Sequence, residues 1–344
     1  MDENVLRGHA GDGAYVVGGA VRDELLGRPV LDVDVACGEP EAAARAHADA
    51  TGGAVFPLSE RHGAWRVAFR DGRTVDFTPL RNGIEADLRT RDFTVNAIAR
   101  PLGARELVDP LGGRPDLEAR TLRAVTPDVF NDDPLRLLRA VRLEDELGFR
   151  LEQETERLVR RDAGLVARPA GERILGELGR LSERGFRRLD ELGLLAPLGG
   201  SLERLDDVEP ADHRDYLLVV VLGEALLRLP VANETRRFAH RLLVARPPED
   251  DSPRAIHRFR RATEPWALEA LAYLGARAEY AGAVEAARAR DPAEPLLRGD
   301  ELGLPGGPEI GRLLERLEEE RAAGTIATRE EALELVRREA TRPT

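Results

Sequence analysis

Asp32 and Asp34 stand two residues apart in "VLDVDVA", a run whose β-branched character and alternation read as a β-strand, so both carboxylates emerge on one face. Two carboxylates side by side repel each other, and the pattern is costly unless cations are shared between them. Divalent magnesium is the natural partner of such a pair. Earlier in the chain, "GGAVRD" places Gly18 and Gly19 at a strand-to-helix turn, where backbone N–H groups can approach a phosphate closely. Asp76, in "TVDFTPLR", offers a third carboxylate in another strand; beside the first two it would complete a two-metal site for phosphoryl transfer. Each feature alone has a structural alternative. Solvated strand ends often carry aspartates, and an ordinary turn can demand glycine for its positive φ.

These residues need elements to hold them. Up to about residue 110 the patterns are short and mixed: "AYVVGG" and "VLDVDVA" as strands, "GAVRDELLG" between them as a helix closed by Gly27, and "AAARAHADATGG" as a second helix. "AWRVAFRDGRTVDFTPL" reads as a hairpin turning at Asp71-Gly72. The head is therefore an α/β domain around a small mixed sheet. From Asp132 onward strand signals nearly vanish. "DPLRLLRAVRLEDELGF" puts Leu135, Leu138, Val141 and Leu143 at helical spacing, with arginines 136, 139 and 142 on another face. Helical patterns continue to the end, broken by "VARPPEDDSPRA" and "RDPAEPLLRGDELGLPGGPEIG".

The 344 residues suffice for two or more domains, and 42% hydrophobic with 33% charged residues is globular rather than disordered composition. Net charge is −12, which on its face disfavours a polyanionic partner, although phosphate contacts need only a local patch. The chain has no lysine, so all 51 basic residues are arginine and every cationic phosphate contact is a planar guanidinium. One cysteine, Cys37, excludes an internal disulfide and fits a reducing compartment. The start, "MDENVLRGHAGDG", has neither the basic opening nor the apolar run of a signal peptide, and no stretch is long enough to span a bilayer, so the expected setting is cytoplasmic.

Five stretches occur in order: "GGAVRDELLGRPVLDVDVA", "RTRDFTVNAIA", "DPLGGRPDLEARTLRAV", "NDDPLRLLRAVRL" and "PAGERILGEL". Together they closely resemble the bacterial class II tRNA nucleotidyltransferases (CCA-adding enzymes) and their poly(A) polymerase relatives. The resemblance is dense from about Tyr15 to Leu181 and returns in "LLRGDELGLPGGPEIGRLLERLEEERAAGTIATREEALELV". It implies an α+β fold: a polymerase-beta-like nucleotidyltransferase head (1–130), then an all-α neck carrying a nucleotide-base template (131–185), a body (186–290) and a tRNA-binding tail (291–344). The implied reaction adds CMP and AMP from CTP and ATP to the tRNA 3′ end, with no membrane involved. Two Mg²⁺ ions are implied on Asp32 and Asp34, with Asp76 helping to activate the primer 3′-hydroxyl.

The other roles follow position by position. Gly18, Gly19 and Arg22 match the triphosphate-binding segment. "TRDFTVNA" matches the ribose-reading motif, with Arg91 retained, Thr90 in place of the motif's first arginine, and Asp92 and Asn96 four apart as if on one helical face. A capping Asp92 and a buried structural Asn96 are the alternative. Asp132, Asp133 and Arg136 match the base-reading motif. Carboxylate acceptor and guanidinium donor complement the N–H and ring-nitrogen pattern of cytosine and adenine, and reject uracil and guanine. Arg139 and Arg142 are further supports for triphosphate or template, or else a solvated arginine face. Glu172 and Arg173 match a motif thought to brace the template helix. Arginine clusters at 236–246 and 254–261 are candidate tRNA contacts or a solvated surface.

One departure concerns residues 82–90, "NGIEADLRT", where full CCA-adding members usually carry a longer flexible loop associated with the switch from CTP to ATP. CC-only addition is therefore a second expectation. Poly(A) polymerase is another, although its usual basic C-terminal extension has no counterpart in "RREATRPT". An inactive RNA-binding module would have lost one of the three aspartates.

Overall fold

The computed structural model describes residues 3–59, 62–304 and 307–340. The chain forms two compact units, residues 1–198 and 199–344.

The first unit opens with helix α1 (Glu3–Ala10), strand β1 (Tyr15–Val17) and helix α2 (Gly19–Leu25), followed by β2 (Asp32–Cys37) and α3 (Pro40–Thr51). Strands β3 (Ala54–Ser59), β4 (Ala64–Ala68) and β5 (Thr74–Pro79) come next, then the short helix α4 (Ile84–Leu88) and β6 (Ala99–Pro101). The six strands make one mixed sheet in the order β3-β4-β5-β2-β1-β6. β2 and β5 run parallel at its centre, and the β4–β5 hairpin turns at Asp71-Gly72 as expected. Strand β3 was not expected. Pro57 interrupts its pattern and is tolerated because β3 is the edge of the sheet, where a missing N–H breaks no ladder.

The sheet's two faces have different jobs. Val33, Val35, Val67, Val75 and Phe77 are buried on one, where α3 supplies Ala43, Ala44, His47 and Ala48. Cys37 is buried, and burial pushes its thiol up to about 11, which leaves it unreactive. On the opposite face, Ala36 packs with Val17, Leu88, Ala97 and Ala99 at one end, and Asp32, Asp34 and Asp76 occupy the same face of the two central strands. Period-two alternation thus separates core from chemistry along the same strands.

Helices α5 (Gly113–Glu118), α6 (Val129–Asp132), α7 (Leu135–Leu147), α8 (Gln153–Asp162), α9 (Gly171–Leu178) and α10 (Glu183–Glu191) complete the unit, with a two-stranded parallel ladder, β7 (Thr121–Leu122) on β8 (Arg150–Leu151). α7 buries Leu135, Leu137, Leu138, Val141 and Leu143 and ends at Gly148 in the left-handed conformation. Its arginines do not share one face. Steps of three residues drift by about 60° per step around a helix, so Arg142 turns inward, only 5% exposed.

The second unit is helical: α11 (Tyr216–Leu222), α12 (Asn233–Val244), α13 (Pro253–Thr263), α14 (Ala267–Tyr273), α15 (Arg277–Arg288), α16 (Pro308–Ala322) and α17 (Arg329–Ala340). The apolar run Tyr216–Leu222 is core, apart from the partly exposed Leu217. Among the described residues no single helix is long and apolar enough to cross a membrane. The arginines of α13 are bound internally: Arg254 and Arg258 to Glu319, Arg260 to Asp291 and Glu264, and Arg261 to Glu315.

Candidate active site

Register places the three aspartates together. Asp34 on β2 is the direct parallel partner of Asp76 on β5, and Asp76 is in turn opposite Arg66 on β4, so Arg66, Asp76 and Asp34 form one row across three strands. Asp32 is opposite Thr74, whose hydroxyl donates to Asp32 Oδ1 at 2.8 Å. No hydrogen bond reaches the Asp34 carboxylate among the described residues. Burial pushes this carboxyl above the ordinary aspartate range; Asp76 and Asp32 add to the effect, against the pull of Arg91 and Arg139.

Asp76 behaves differently. Arg66 donates Nε to Oδ1 at 2.6 Å and Nη2 to Oδ2 at 2.7 Å, a bidentate pair that occupies both oxygens. Among the described residues no three His, Cys, Asp or Glu side chains converge on a common metal position. The donor set present is thus Asp32 and Asp34. That set suits Mg²⁺, which is commonly held by one or two carboxylates, the remaining oxygens coming from water and substrate phosphates.

At the β1–α2 turn, Gly18 has φ 72°, and a Cβ there would meet Arg91 Nη1 at 3.3 Å and Asp34 Oδ2 at 3.5 Å. Both the backbone and the close approach require glycine. Arg22 is anchored by Asp23 (2.8 and 3.0 Å) and donates Nη1 to Asn96 Oδ1 at 2.7 Å. Arg91 is held by Asp87 at 2.8 Å.

The "DFTVN" segment corrects the expectation of a shared helical face. Only Thr94–Asn96 is helical, as one 3₁₀ turn, and Asp92 precedes it. The two side chains meet all the same, Asn96 Nδ2 donating to Asp92 Oδ1 at 3.0 Å. The physical reason is a local turn motif: Asp92 Oδ1 also accepts the Phe93 N–H at 2.8 Å. Arg139 donates Nε to Asp92 Oδ2 at 2.8 Å. Burial opposes the charge, yet Arg139, the Asn96 amide and the Phe93 N–H hold the Asp92 carboxyl down to about 2.

From Asp92 the network runs on through the helices. Arg139 approaches Glu177 at 3.9 Å; Arg142 binds Glu177 and Glu146, and Arg180 reaches Glu146 at 2.7 Å. Arg142 therefore spends its charge internally rather than on a solvated face. At the start of α7, Asp133 Oδ1 accepts the Leu135 N–H and its carboxylate pairs with Arg173 at 2.8 Å. Arg136 donates Nη2 to the Thr90 carbonyl at 2.7 Å. Asp132 is exposed.

A cleft of about 610 Å³ within the first unit gathers this set. Its walls include Gly18, Gly19, Arg22, Asp32, Asp34, Arg91, Asp92, Asn96, Asp133, Arg136, Arg139 and Arg142. Of the residues expected at the site, Asp76 and Asp132 do not line it. Sequence reasoning missed Arg66, Arg28 and Arg180, and read Arg173 only as a brace although it also lines the cleft. The hairpin signal was enough to find Arg66, since a turn centred on Asp71 places it opposite Asp76.

A family model described as the Poly A polymerase head domain matches residues 14–83 and 69–123. Over nearly the whole chain the sequence is 35% identical to the A-adding tRNA nucleotidyltransferase of Deinococcus radiodurans, covering 95% of each protein. The chain belongs to the class II tRNA nucleotidyltransferase family. It is also 34% identical to the CC-adding tRNA nucleotidyltransferase of Thermus thermophilus, over 93% of this chain and 92% of that one. The solved CCA-adding enzyme of Bacillus stearothermophilus in complex with CTP shares the fold, with a TM-score of 0.75, 27% identity and coverage of 98% and 96%. As a member the chain is a nucleotidyltransferase with the expected mixed-sheet head and helical remainder, and the chemistry of this family is divalent-metal chemistry.

Proposed function

We propose that this nucleotidyltransferase adds CMP and AMP from CTP and ATP to the acceptor end of tRNA. One observation carries the reading: Asp34 and Asp76 are register partners with Asp32 beside them, and Asp32 and Asp34 line a cleft that also holds Asp133 and Arg136. The four-part division into head, neck, body and tail, with tRNA on the tail, belongs to the same proposal, as does a cytoplasmic setting, in keeping with the single buried cysteine.

Asp32 and Asp34 are the proposed ligands of two Mg²⁺ ions. Such ions, when bound, activate the attacking hydroxyl and neutralise charge on the α-phosphate and the leaving pyrophosphate. The backbone at Gly18 and Gly19, with Arg22 and Arg91, receives the triphosphate. Asp92 and Asn96 face the ribose hydroxyl from a position fixed by Arg22 and Arg139. Asp133 accepts the exocyclic amino group of cytosine or adenine and Arg136 donates to the ring nitrogen. Their present partners, Arg173 and the Thr90 carbonyl, keep both groups satisfied until a base replaces them. Arg142 supports the template through Glu177 and Glu146.

The test is direct. Purified protein is incubated with Mg²⁺, tRNA ending at the discriminator base and each labelled nucleotide, and the products are sized. Extension by C, C and A is expected; no incorporation from CTP or ATP overturns the proposal.

A second reading, addition of C-C alone, is favoured by residues 82–90. This segment is short and anchored: Leu88 is fully buried against Val17 and Ala36, and Asp87 is tied to Arg91. The Deinococcus and Thermus relatives, named for adding A and C-C respectively, supply context for partial addition.

A further inference from the structure

The Arg66–Asp76 pair has no part in the assignments above, and its geometry has a consequence. Asp76 accepts from Arg66 through both oxygens, so the guanidinium competes for the lone pairs that would ligate an ion or receive a proton from a hydroxyl. Asp32 and Asp34 line the nucleotide cleft, whereas Arg66 and Asp76 do not. In-line displacement requires the nucleophile to approach opposite the leaving pyrophosphate. The acceptor hydroxyl therefore arrives on the side of the sheet row where Asp76 and Arg66 lie. The Arg66 side chain is 34% exposed, within reach of an incoming phosphodiester. A guanidinium that grips a carboxylate by two parallel bonds can grip a phosphate in the same way.

We infer that Arg66 is a positioning residue that withholds Asp76 from the carboxylate site until the 3′-terminal phosphodiester of the acceptor RNA draws the guanidinium away. This rests on the reading of Asp76 as the third carboxylate. In the free enzyme the clamp neutralises one of three adjacent negative charges, which weakens metal binding and leaves the site incomplete. Arrival of the acceptor end releases Asp76 when a hydroxyl is there to use it. The device disfavours the wasteful reaction in which water replaces the hydroxyl, converting NTP and H₂O into NMP and pyrophosphate.

The experiment titrates nucleotide-free, full-length protein with Mn²⁺, following free Mn²⁺ by electron paramagnetic resonance. Arg66→Gln is expected to bind Mn²⁺ at least fivefold more tightly than wild type, and Arg66→Lys to fall between. The double variant carrying Asp76→Asn as well should lose the gain. Pyrophosphate release from CTP without tRNA should rise at least threefold in Arg66→Gln, while KM for tRNA rises more than kcat falls. Arg66→Lys keeps the charge, and so tests the idea should Arg66→Gln fail to fold. If neither variant departs from wild type in Mn²⁺ affinity, the pair is only structural and the inference is wrong. Wild-type turnover by Asp76→Asn alone would instead remove Asp76 from the catalytic set, a failure of the function proposal that the Mn²⁺ titration registers separately.

Discussion

The two walls of the cleft carry charge in opposite ways. On the sheet wall, Asp32 and Asp34 stand close together with one threonine hydroxyl between them in the way of partners, and burial with mutual repulsion raises the Asp34 carboxyl. On the helix wall, Asp92, Arg139, Glu177, Arg142, Glu146 and Arg180 alternate in sign, each carboxylate bound by at least one guanidinium. The first arrangement has one hydrogen-bond partner among the described residues; the second is paired throughout. Chemistry belongs where charge is left uncompensated, and recognition where it is already fixed. The α13 arginines of the second unit make the contrast sharper: they are as numerous locally, yet glutamates of α16 consume most of them and no comparable wall results.

The largest expected effect tests the sheet wall. Asp34→Asn should lower nucleotide incorporation on the order of 10³-fold, because a lost metal ligand removes several kcal/mol of stabilisation specific to the transition state. The same variant should melt at a higher temperature than wild type at pH 7, since it removes a buried charge that the fold disfavours. The sign follows from the raised carboxyl: the folded state holds its proton to higher pH, so this group's contribution to stability declines as pH climbs from the ordinary aspartate value. Activity and calorimetry on one variant decide it, and a lower melting temperature would break the comparison.

On the helix wall the sign reverses. Asp92 is held at about 2 against an ordinary 3.8, so its contribution, about 2 kcal/mol, is present above pH 4 and lost as pH falls toward 2. Asp92→Asn should therefore destabilise the protein by about that amount at pH 7. In guanidinium unfolding the gap from wild type should narrow as pH drops below 4. A gap constant with pH would mean that shape rather than charge holds this wall together.

The proposed base-reading pair should give a smaller change. Asp133→Ala or Arg136→Ala removes one hydrogen bond to a charged partner, worth about 1.5–3 kcal/mol, and discrimination against UTP and GTP should fall roughly tenfold or more. Competition assays with mixed nucleotides measure this, and unchanged preference would remove the template role from the helix wall.

How far the sequence announced these walls depends on the range of the forces that build them. Period-two alternation in "VLDVDVA" and the Asp71-Gly72 turn are local signals, and they led to the paired aspartates and the central strands. The register of Asp34 with Asp76 joins residues far apart in the chain, and only the resemblance to a family foretold it. Strand β3 was illegible because Pro57 hides its pattern, and the edge position that permits proline is a tertiary fact. The 3₁₀ turn at Thr94–Asn96 defeated the helical-face argument because side-chain bonds to Asp92, not backbone periodicity, shape it. Arg142 was read either as a support for triphosphate or template or as part of a solvated face; its partner Glu146 stands at i+4 on the same helix, whereas Glu177 meets it only once α7 and α9 pack.

The smallest expected difference concerns residues 82–90. Cytosine and adenine differ in size yet address the same Asp133 and Arg136, so accepting both needs a small movement of the template arginine. Arg136 donates to the Thr90 carbonyl, which couples that arginine to the end of the segment. Against movement stand the burial of Leu88 and the Asp87–Arg91 pair. The coupling is sufficient for a shift of the guanidinium that leaves Leu88 in place, because only the stretch from Arg89 to Thr90 has to adjust. Single-turnover AMP addition to tRNA ending in C-C should therefore proceed within about tenfold of CMP addition to tRNA ending one step earlier, a difference of no more than about 1.4 kcal/mol in barrier. An AMP step slower by a hundredfold or more would mean that the anchored segment holds Arg136 fixed, and the enzyme would then be one that adds C-C alone.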